Sequence, residues 1–376
     1  MDLLDSPAEA DFRARLRAWL RDNVPAEPEP AALADRWPGM RAFQKKMYEG
    51  GWVALSWPKE YGGQGLGPME EAILSEELGR TNAPTTIPVS HLGRPILSHG
   101  TEEQRRRYLP PLLSGDEIWC QGFSEPGAGS DLASLRTKAV RDGDDYVITG
   151  HKTWTSLGAY ADYCLLLART DDAAPRHRGI SAFILPLDLP GVEVRPIVLA
   201  NGDEEFAEIH LDGARVPAAN MLGAPTDGWK IAMEVVSYER GAVDIGYQAK
   251  FEHAFAELVT ELADRRDDPA VLRRIGRIAA NLEVLRMHSL RSLSARVAGG
   301  APGPESSIDK LLMTEVEQHL MGASLELLRD RRAHPRSEWF DRYLYGRAGS
   351  IYGGSAQIQK NILAQRVLGL PREPQA

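Results

Sequence analysis

The chain has 376 residues, 43% hydrophobic and 26% charged, proportions that exclude a disordered or fibrous protein and leave room for two or three domains or one many-layered core. Its formal net charge of -9 disfavours nucleic acid or an anionic membrane as partner, while still permitting a local basic groove for one phosphorylated ligand. Cys120 and Cys164 are the only cysteines, too few for a disulfide framework or a cysteine-based metal site, which fits a reducing cytoplasm.

Asp2, Asp5, Glu9, Asp11 and Arg13 stand where a secretion signal would place a basic and then an apolar region. No apolar run approaches membrane length, so membrane insertion is not expected. Ser6 as N-cap, Pro7 at the first helical position and Glu9 closing a capping box predict a first helix with Phe12, Leu16, Trp19 and Leu20 on one face. Helical patterns recur to about residue 114, interrupted by Trp57 to Pro68 (WPKEYGGQGLGP). Its glycines invite a phosphate-loop reading, but no Lys-Ser/Thr pair follows and no apolar strand precedes, so an ordered structural turn is expected.

From Ile118 to about Pro217 the texture changes to short alternating or β-branched runs, at Tyr146 to Thr149, Tyr163 to Ala168, Ile180 to Leu185, Val192 to Val198 and Phe206 to Leu211. A strand-rich block of that length without a helix predicts an antiparallel sheet or barrel instead of a doubly wound nicotinamide fold. Helical periodicity returns near Trp229 to Arg266, Pro269 to Val297, Glu305 to Arg332 and Ala356 to Leu368, with Gly299 to Pro304 as a linker.

Three segments are able to carry chemistry. Residues 122 to 131 (GFSEPGAGSD) turn sharply at Pro126-Gly127 and Gly129, so that backbone N–H groups and the hydroxyls of Ser124 and Ser130 could meet a ligand; a plain hairpin loop has the same composition. Gly150 to Ser156 (GHKTWTS) offers Trp154 either to a planar ring system or to the core. Tyr352 to Ile362 (YGGSAQIQKNI) sets two glycines before a helix start whose N–H groups suit a phosphate or a base edge. His91, His151 and His210 are read as scattered loop or surface residues without metal-ligand spacing, and no metal is expected.

Taken together and in this order, the segments resemble the acyl-CoA dehydrogenase family, with its E-P-G-A-G-S-D loop, its K-x-W-x-T/S strand and its C-terminal Y-x-G-T/S-x-x-I-Q segment. Trp57 to Leu66 and Gln365 to Pro371 (QRVLGLP) look like family features too, so the resemblance covers nearly the whole chain. It implies an α+β, mostly α fold: an N-terminal helical domain (1–117), a central antiparallel β-barrel domain (118–226) and a C-terminal four-helix bundle (227–376), with FAD between the last two. Gln121, Phe123, Ser124, Gly129 and Ser130 would border the flavin on one side and Trp154, Thr155 and Ser156 on the other, with Ser355 and Gln357 on the dinucleotide. Ser130, Tyr238 and Arg240 would meet the acyl-CoA, Arg240 having a structural or solvated role as the competing reading.

Many members of the family carry a catalytic glutamate directly after the tyrosine of the C-terminal segment, whereas here Tyr352 is followed by Gly353. Others supply the carboxylate from the helix after the β domain, which matches Glu239 in Ser237-Tyr238-Glu239-Arg240. The resemblance therefore implies Glu239 as the base taking the α-proton while the β-hydride goes to flavin N5, and Gly353 as a backbone donor to the thioester oxygen. Without the resemblance, Glu239 reads as an exposed helix carboxylate paired with a nearby cation. Where relatives show R-x-x-F-G this chain has VLRRIGRIAA with Arg273 and Arg274, and a usual glycine pair is replaced by Leu327-Leu328-Arg329-Asp330.

The implied activity is dehydrogenation of an acyl-CoA, or of an acyl group on a carrier protein, in lipid metabolism, by a homodimer or homotetramer passing electrons to an electron-transferring flavoprotein. A flavin monooxygenase or oxidase, and a flavin-binding partner subunit of a heteromeric dehydrogenase, are the competing readings.

Overall fold

In the computed structural model, residues 5–27, 29–30, 32–238, 243–300, 303–329 and 337–372 are described. Five helices come first: α1 (Pro7–Asn23), α2 (Leu33–Glu49), α3 (Pro68–Gly79), α4 (Val89–His99) and α5 (Glu102–Ser114). Eight strands follow: β1 (Trp119–Gly122), β2 (Lys138–Asp142), β3 (Asp145–Ser156), β4 (Tyr163–Arg169), β5 (Ile180–Pro186), β6 (Val192–Ile197), β7 (Phe206–Pro217) and β8 (Met221–Leu222). The chain then continues through α6 (Gly228–Tyr238), α7 (Val243–Glu261), α8 (Pro269–Val297), α9 (Ser306–Leu327), α10 (Glu338–Ala348) and α11 (Ala356–Ile362). Among the described residues, no helix is long and apolar enough to cross a membrane.

The chain divides into two compact units: residues 30–64 and 85–238 form one, and 1–29, 65–84 and 239–376 the other. The first holds the strands in one eight-stranded sheet of order β6-β7-β3-β2-β4-β5-β8, with β1 paired to β4. The pairing is mostly antiparallel, as the alternation predicts, but β1 and β2 each run parallel to β4. Among the described strands, the ends of the path, β6 and β8, are not paired, so hydrogen bonds do not close the expected barrel. Inward residues of alternate positions, such as Ile148, Leu166, Phe183, Ile209 and Val216, form its core.

The Trp57 loop is structural, as its composition suggests. Trp57 is fully buried, and a Cβ at Gly93 of α4 would lie 2.5 Å from its indole Cη2. α6 begins against the sheet, where a Cβ on Gly228 would stand 2.6 Å from the Ser181 carbonyl carbon. Its Glu234 accepts from Ser98 Oγ at 2.6 Å and lies 2.7 Å from His99 Nε2, which fastens α6 to α4. His91 belongs to α4 and not to a loop; it is largely enclosed, and burial pushes its imidazole down to about 4.

In the second unit α1 starts with the expected capping box, Ser6 N–H donating to Glu9 and Glu9 N–H to Ser6, and buries Phe12, Leu16 and Leu20. Arg13 donates to Glu76 at 2.6 Å and Glu77 at 2.7 Å, and Arg17 to Glu77 at 2.7 and 2.8 Å, pinning α1 on α3. Leu258, Leu282, Leu320 and Trp339 place α7, α8, α9 and α10 around one apolar centre, the expected four-helix bundle. α10, which periodicity did not separate, is capped by Ser337 accepting from Phe340 N–H at 3.2 Å.

α3 and α7 pack so closely that a Cβ on Gly79 would lie 2.4 Å from the Gly246 carbonyl oxygen, whereas one on Gly39 of α2 would meet nothing within 4 Å. Gly79→Ala is therefore expected to destabilise by about 1–3 kcal/mol through overpacking. Gly39→Ala should instead stabilise by roughly 0.5–1 kcal/mol through helix propensity. Urea unfolding of the two variants checks the contrast, and equal effects would refute it.

Candidate active site

The loop after β1 is set by its own turn and by a charge beneath it. Glu125 and Ala128 exchange backbone hydrogen bonds of 3.1 and 3.0 Å across Pro126-Gly127. The Glu125 carboxylate turns inward, accepting the N–H groups of Arg136 at 2.7 Å and Thr137 at 2.9 Å and a bond from Lys152 Nζ at 2.8 Å. Lys152, fully buried on β3, also donates to the Phe123 carbonyl at 3.1 Å, and Thr153 N–H donates to the Ser124 carbonyl at 3.0 Å. Burial works to raise the Glu125 carboxyl, but the Lys152 ammonium and the backbone donors outweigh it and hold the acid below the usual range. Burial pulls Lys152 below the usual lysine value, with Glu125 opposing.

Neither Glu125 nor Lys152 stands among the residues singled out from sequence. A lysine at an inward-facing position of an alternating strand, in phase with Tyr146 and Ile148, was the available signal.

The sequence-chosen residues of this unit fall into two groups. Gln121 and Ser124 are half-buried, and Gly129, Ser130 and Ser156 are exposed. Phe123 and Thr155 are buried, so Phe123 contributes its carbonyl to Lys152 instead of a ring to the surface. Trp154 sits where the β3–β7 register shifts between Lys152 and Thr155, at φ 59, and is 59% exposed with its ring edge-on to Phe206 at 6.0 Å. It is a presented aromatic face and not a core tryptophan. Asp131, closing the motif, pairs with Arg176.

In the helical unit, Gly353 and Gly354 lie between α10 and α11 at φ 60 and 89, a left-handed backbone in which a side chain is strained. Gln359 Nε2 donates to their carbonyls at 3.0 and 3.3 Å. Ser355 caps α11, accepting from Ile358 N–H at 3.3 Å, and Gln357 is exposed. Lys310 of α9, buried and unremarked in the sequence reading, holds its ammonium 4.0 Å from the centre of the Tyr352 ring. Arg273 is exposed and Arg274 pairs with Glu326 at 2.9 Å, while Leu328 is buried in the bundle. Glu239 and Arg240 lie outside the described residues, and Tyr238 is described as the last backbone position of α6.

Within the sheet unit, the glycine loop and the exposed Trp154 are compatible with a flavin ring. Cβ atoms added at Gly127 and Gly129 would meet nothing within 4 Å, which leaves the loop backbone approachable. Thr155 Oγ1 is buried without a hydrogen-bond partner beside the presented Trp154.

A strand-rich unit with an exposed aromatic and a glycine-rich loop, followed in sequence by a four-helix bundle, is the arrangement that the resemblance to flavin-dependent dehydrogenases of acyl thioesters implies. Sequence profiles agree: residues 6–116 match the acyl-CoA dehydrogenase N-terminal domain, 120–214 the middle domain and 226–368 the C-terminal domain. Acyl-CoA dehydrogenase IpdE1 of Mycobacterium tuberculosis is 40% identical over 382 residues, spanning 96% of this chain and 98% of that one. Among solved structures, the Tcur3481-Tcur3483 steroid ACAD superposes with a TM-score of 0.87 at 32% identity, covering 99% of this chain and 100% of that one. The ChsE4-ChsE5 complex from Mycobacterium tuberculosis gives 0.86 at 31% identity, with coverage of 99% and 100%.

The chain belongs to the acyl-CoA dehydrogenase family. It is an FAD-dependent oxidoreductase that dehydrogenates an acyl-CoA between its α and β carbons.

Breaking the buried pair leaves a lone charge, so Lys152→Met or Glu125→Gln should cost about 3–5 kcal/mol. The double variant should recover part of that loss. Urea midpoints, with flavin absorbance per chain as a second readout, check this; single variants as stable as the parent would refute it.

Proposed function

We propose that Glu239 is the general base that takes the α-proton, and that Gly353 gives its backbone N–H to the thioester oxygen. One observation supports this reading above the others: residue 353 is a glycine in a left-handed turn, in the segment where many members of the family place their carboxylate. A base for a weakly acidic C–H must be a positioned group of suitable pKa, and a glycine has none to offer. Glu239 follows directly on α6, whose register is fixed by Glu234 against α4.

When bound, FAD would supply the acceptor for the β-hydride, a role no side chain can fill. In this reading Gln121, Phe123, Ser124, Gly129 and Ser130 hold the flavin through backbone and hydroxyl groups, Trp154, Thr155 and Ser156 flank its ring system, and Ser355 and Gln357 hold the dinucleotide. Ser130, Tyr238 and Arg240 bind the acyl-CoA. The Lys152–Glu125 pair keeps the loop in place. The domains are taken as 1–117, 118–226 and 227–376.

The likeness to a steroid ACAD supports a bulky, ring-bearing acyl group as substrate in place of a plain fatty acyl chain. The likeness to a complex named for two chains supports assembly with a second, related chain, the homodimer or homotetramer being the alternative. Electrons then pass to an electron-transferring flavoprotein.

Anaerobic titration of the purified flavoprotein with straight-chain, branched and steroid acyl-CoAs tests substrate and class together, since a true substrate bleaches the flavin. Glu239→Gln is expected to keep its flavin and lose about a hundred- to ten-thousandfold in the rate of bleaching. An unchanged rate would remove Glu239 from the mechanism.

A further inference from the structure

We propose that His151, Glu208 and His210 form a divalent-cation site, suited to zinc, on the outer face of the sheet. His151 and His210 are directly paired across β3 and β7, and Glu208 lies two positions before His210 on the same face of β7. Far apart in sequence and read there as scattered, the two imidazoles stack with ring centres 4.1 Å apart and planes 21° from parallel.

Two of the three distances match a metal's needs, and turning the stacked imidazoles about χ2 would bring both in-plane lone pairs onto one ion. Glu208 Oε2 lies 3.5 Å from His151 Nε2 and 3.2 Å from His210 Nε2, and the three ligand atoms all fall within 4.8 Å of one another. Ligands about 2.0–2.1 Å from a tetrahedral zinc stand roughly 3.4 Å apart, so two of the three edges are already at ligand spacing. His151 Nε2 is buried without a hydrogen bond, its nearest ligand-type neighbour being Glu208 Oε2 at 3.5 Å. A facial set of two imidazoles and one carboxylate leaves a fourth position for water, and borderline ligands of this kind favour zinc over magnesium or calcium.

The surroundings suit a cation. On the adjacent strand, Glu193 is paired with His210 in register and Arg195 with Glu208. Arg195 bonds back to Glu193 at 2.8 and 2.7 Å, so it is occupied with that carboxylate and Glu208 keeps its charge for the imidazoles. All three ligands are fixed on a paired ladder instead of a loop, which lowers the ordering cost of binding. Phe206, next along the outer face of β7 from Glu208, touches Trp154, so a cation clasping β3 to β7 would stiffen the strand that presents that aromatic face.

The test is titration of the flavin-loaded, tag-free full chain with zinc chloride against a chromogenic chelator, with the melting temperature as second readout. A single zinc equivalent per chain and a rise in melting temperature are expected, because a ligand of the folded state stabilises it. Glu208→Gln and His210→Asn should each weaken binding about a hundredfold, and His151→Asn/His210→Asn should abolish it with flavin content unchanged. Cobalt in place of zinc should give the strong visible bands of a tetrahedral site. Absence of zinc binding by the parent chain, or undiminished binding by the double variant, would overturn the proposal.

Discussion

A fully buried lysine ammonium is the constraint from which the glycine-rich loop after β1 takes its form. Lys152 lies fully inside the sheet unit, and its charge is met by the Glu125 carboxylate and the Phe123 carbonyl. Such a pair contributes little net stability over an apolar one, because desolvation offsets most of the attraction. What it does contribute is geometry: the loop carrying Ser124 to Ser130 is held where the buried ammonium and carboxylate are both paired. The same lysine fixes the phase of β3, so the register shift next to it turns Trp154 outward instead of into the core.

Elements defined by local chemistry were legible in the sequence. The capping box at Ser6 and Glu9, the β-branched runs of β4 and β5 and the long period of α8 all appear where the residues put them. Features made by pairing were not. A bulge that changes strand parity leaves no mark in composition, so whether Trp154 faced a ligand or the core stayed open until the β3–β7 register was known. His151 and His210 looked unrelated for the same reason. α10 escaped because this short helix carries mostly aromatic apolar residues and has glycines at 346 and 349.

The site itself was legible through resemblance and only partly through physics. Loop glycines, an exposed tryptophan and a glycine turn each have bland explanations, and the order of the three segments removed them. Gly353 is the instructive departure. Its left-handed φ strains any side chain there, while an added Cβ would make only ordinary contact with Lys310 Cε at 3.7 Å.

The division of the chain bears on how it is made. α1 and α3 belong to the unit completed by residues 239–376, while most of the strand-bearing unit is one continuous stretch, 85–238. During synthesis the ladder can close while the ribosome is still translating the bundle, but Ala72 of α3 must wait for Ile245 and Leu293, encoded at the far end. Until then that face of α3 is uncovered, a natural hold for a chaperone and the stage at which a truncated message would yield aggregate.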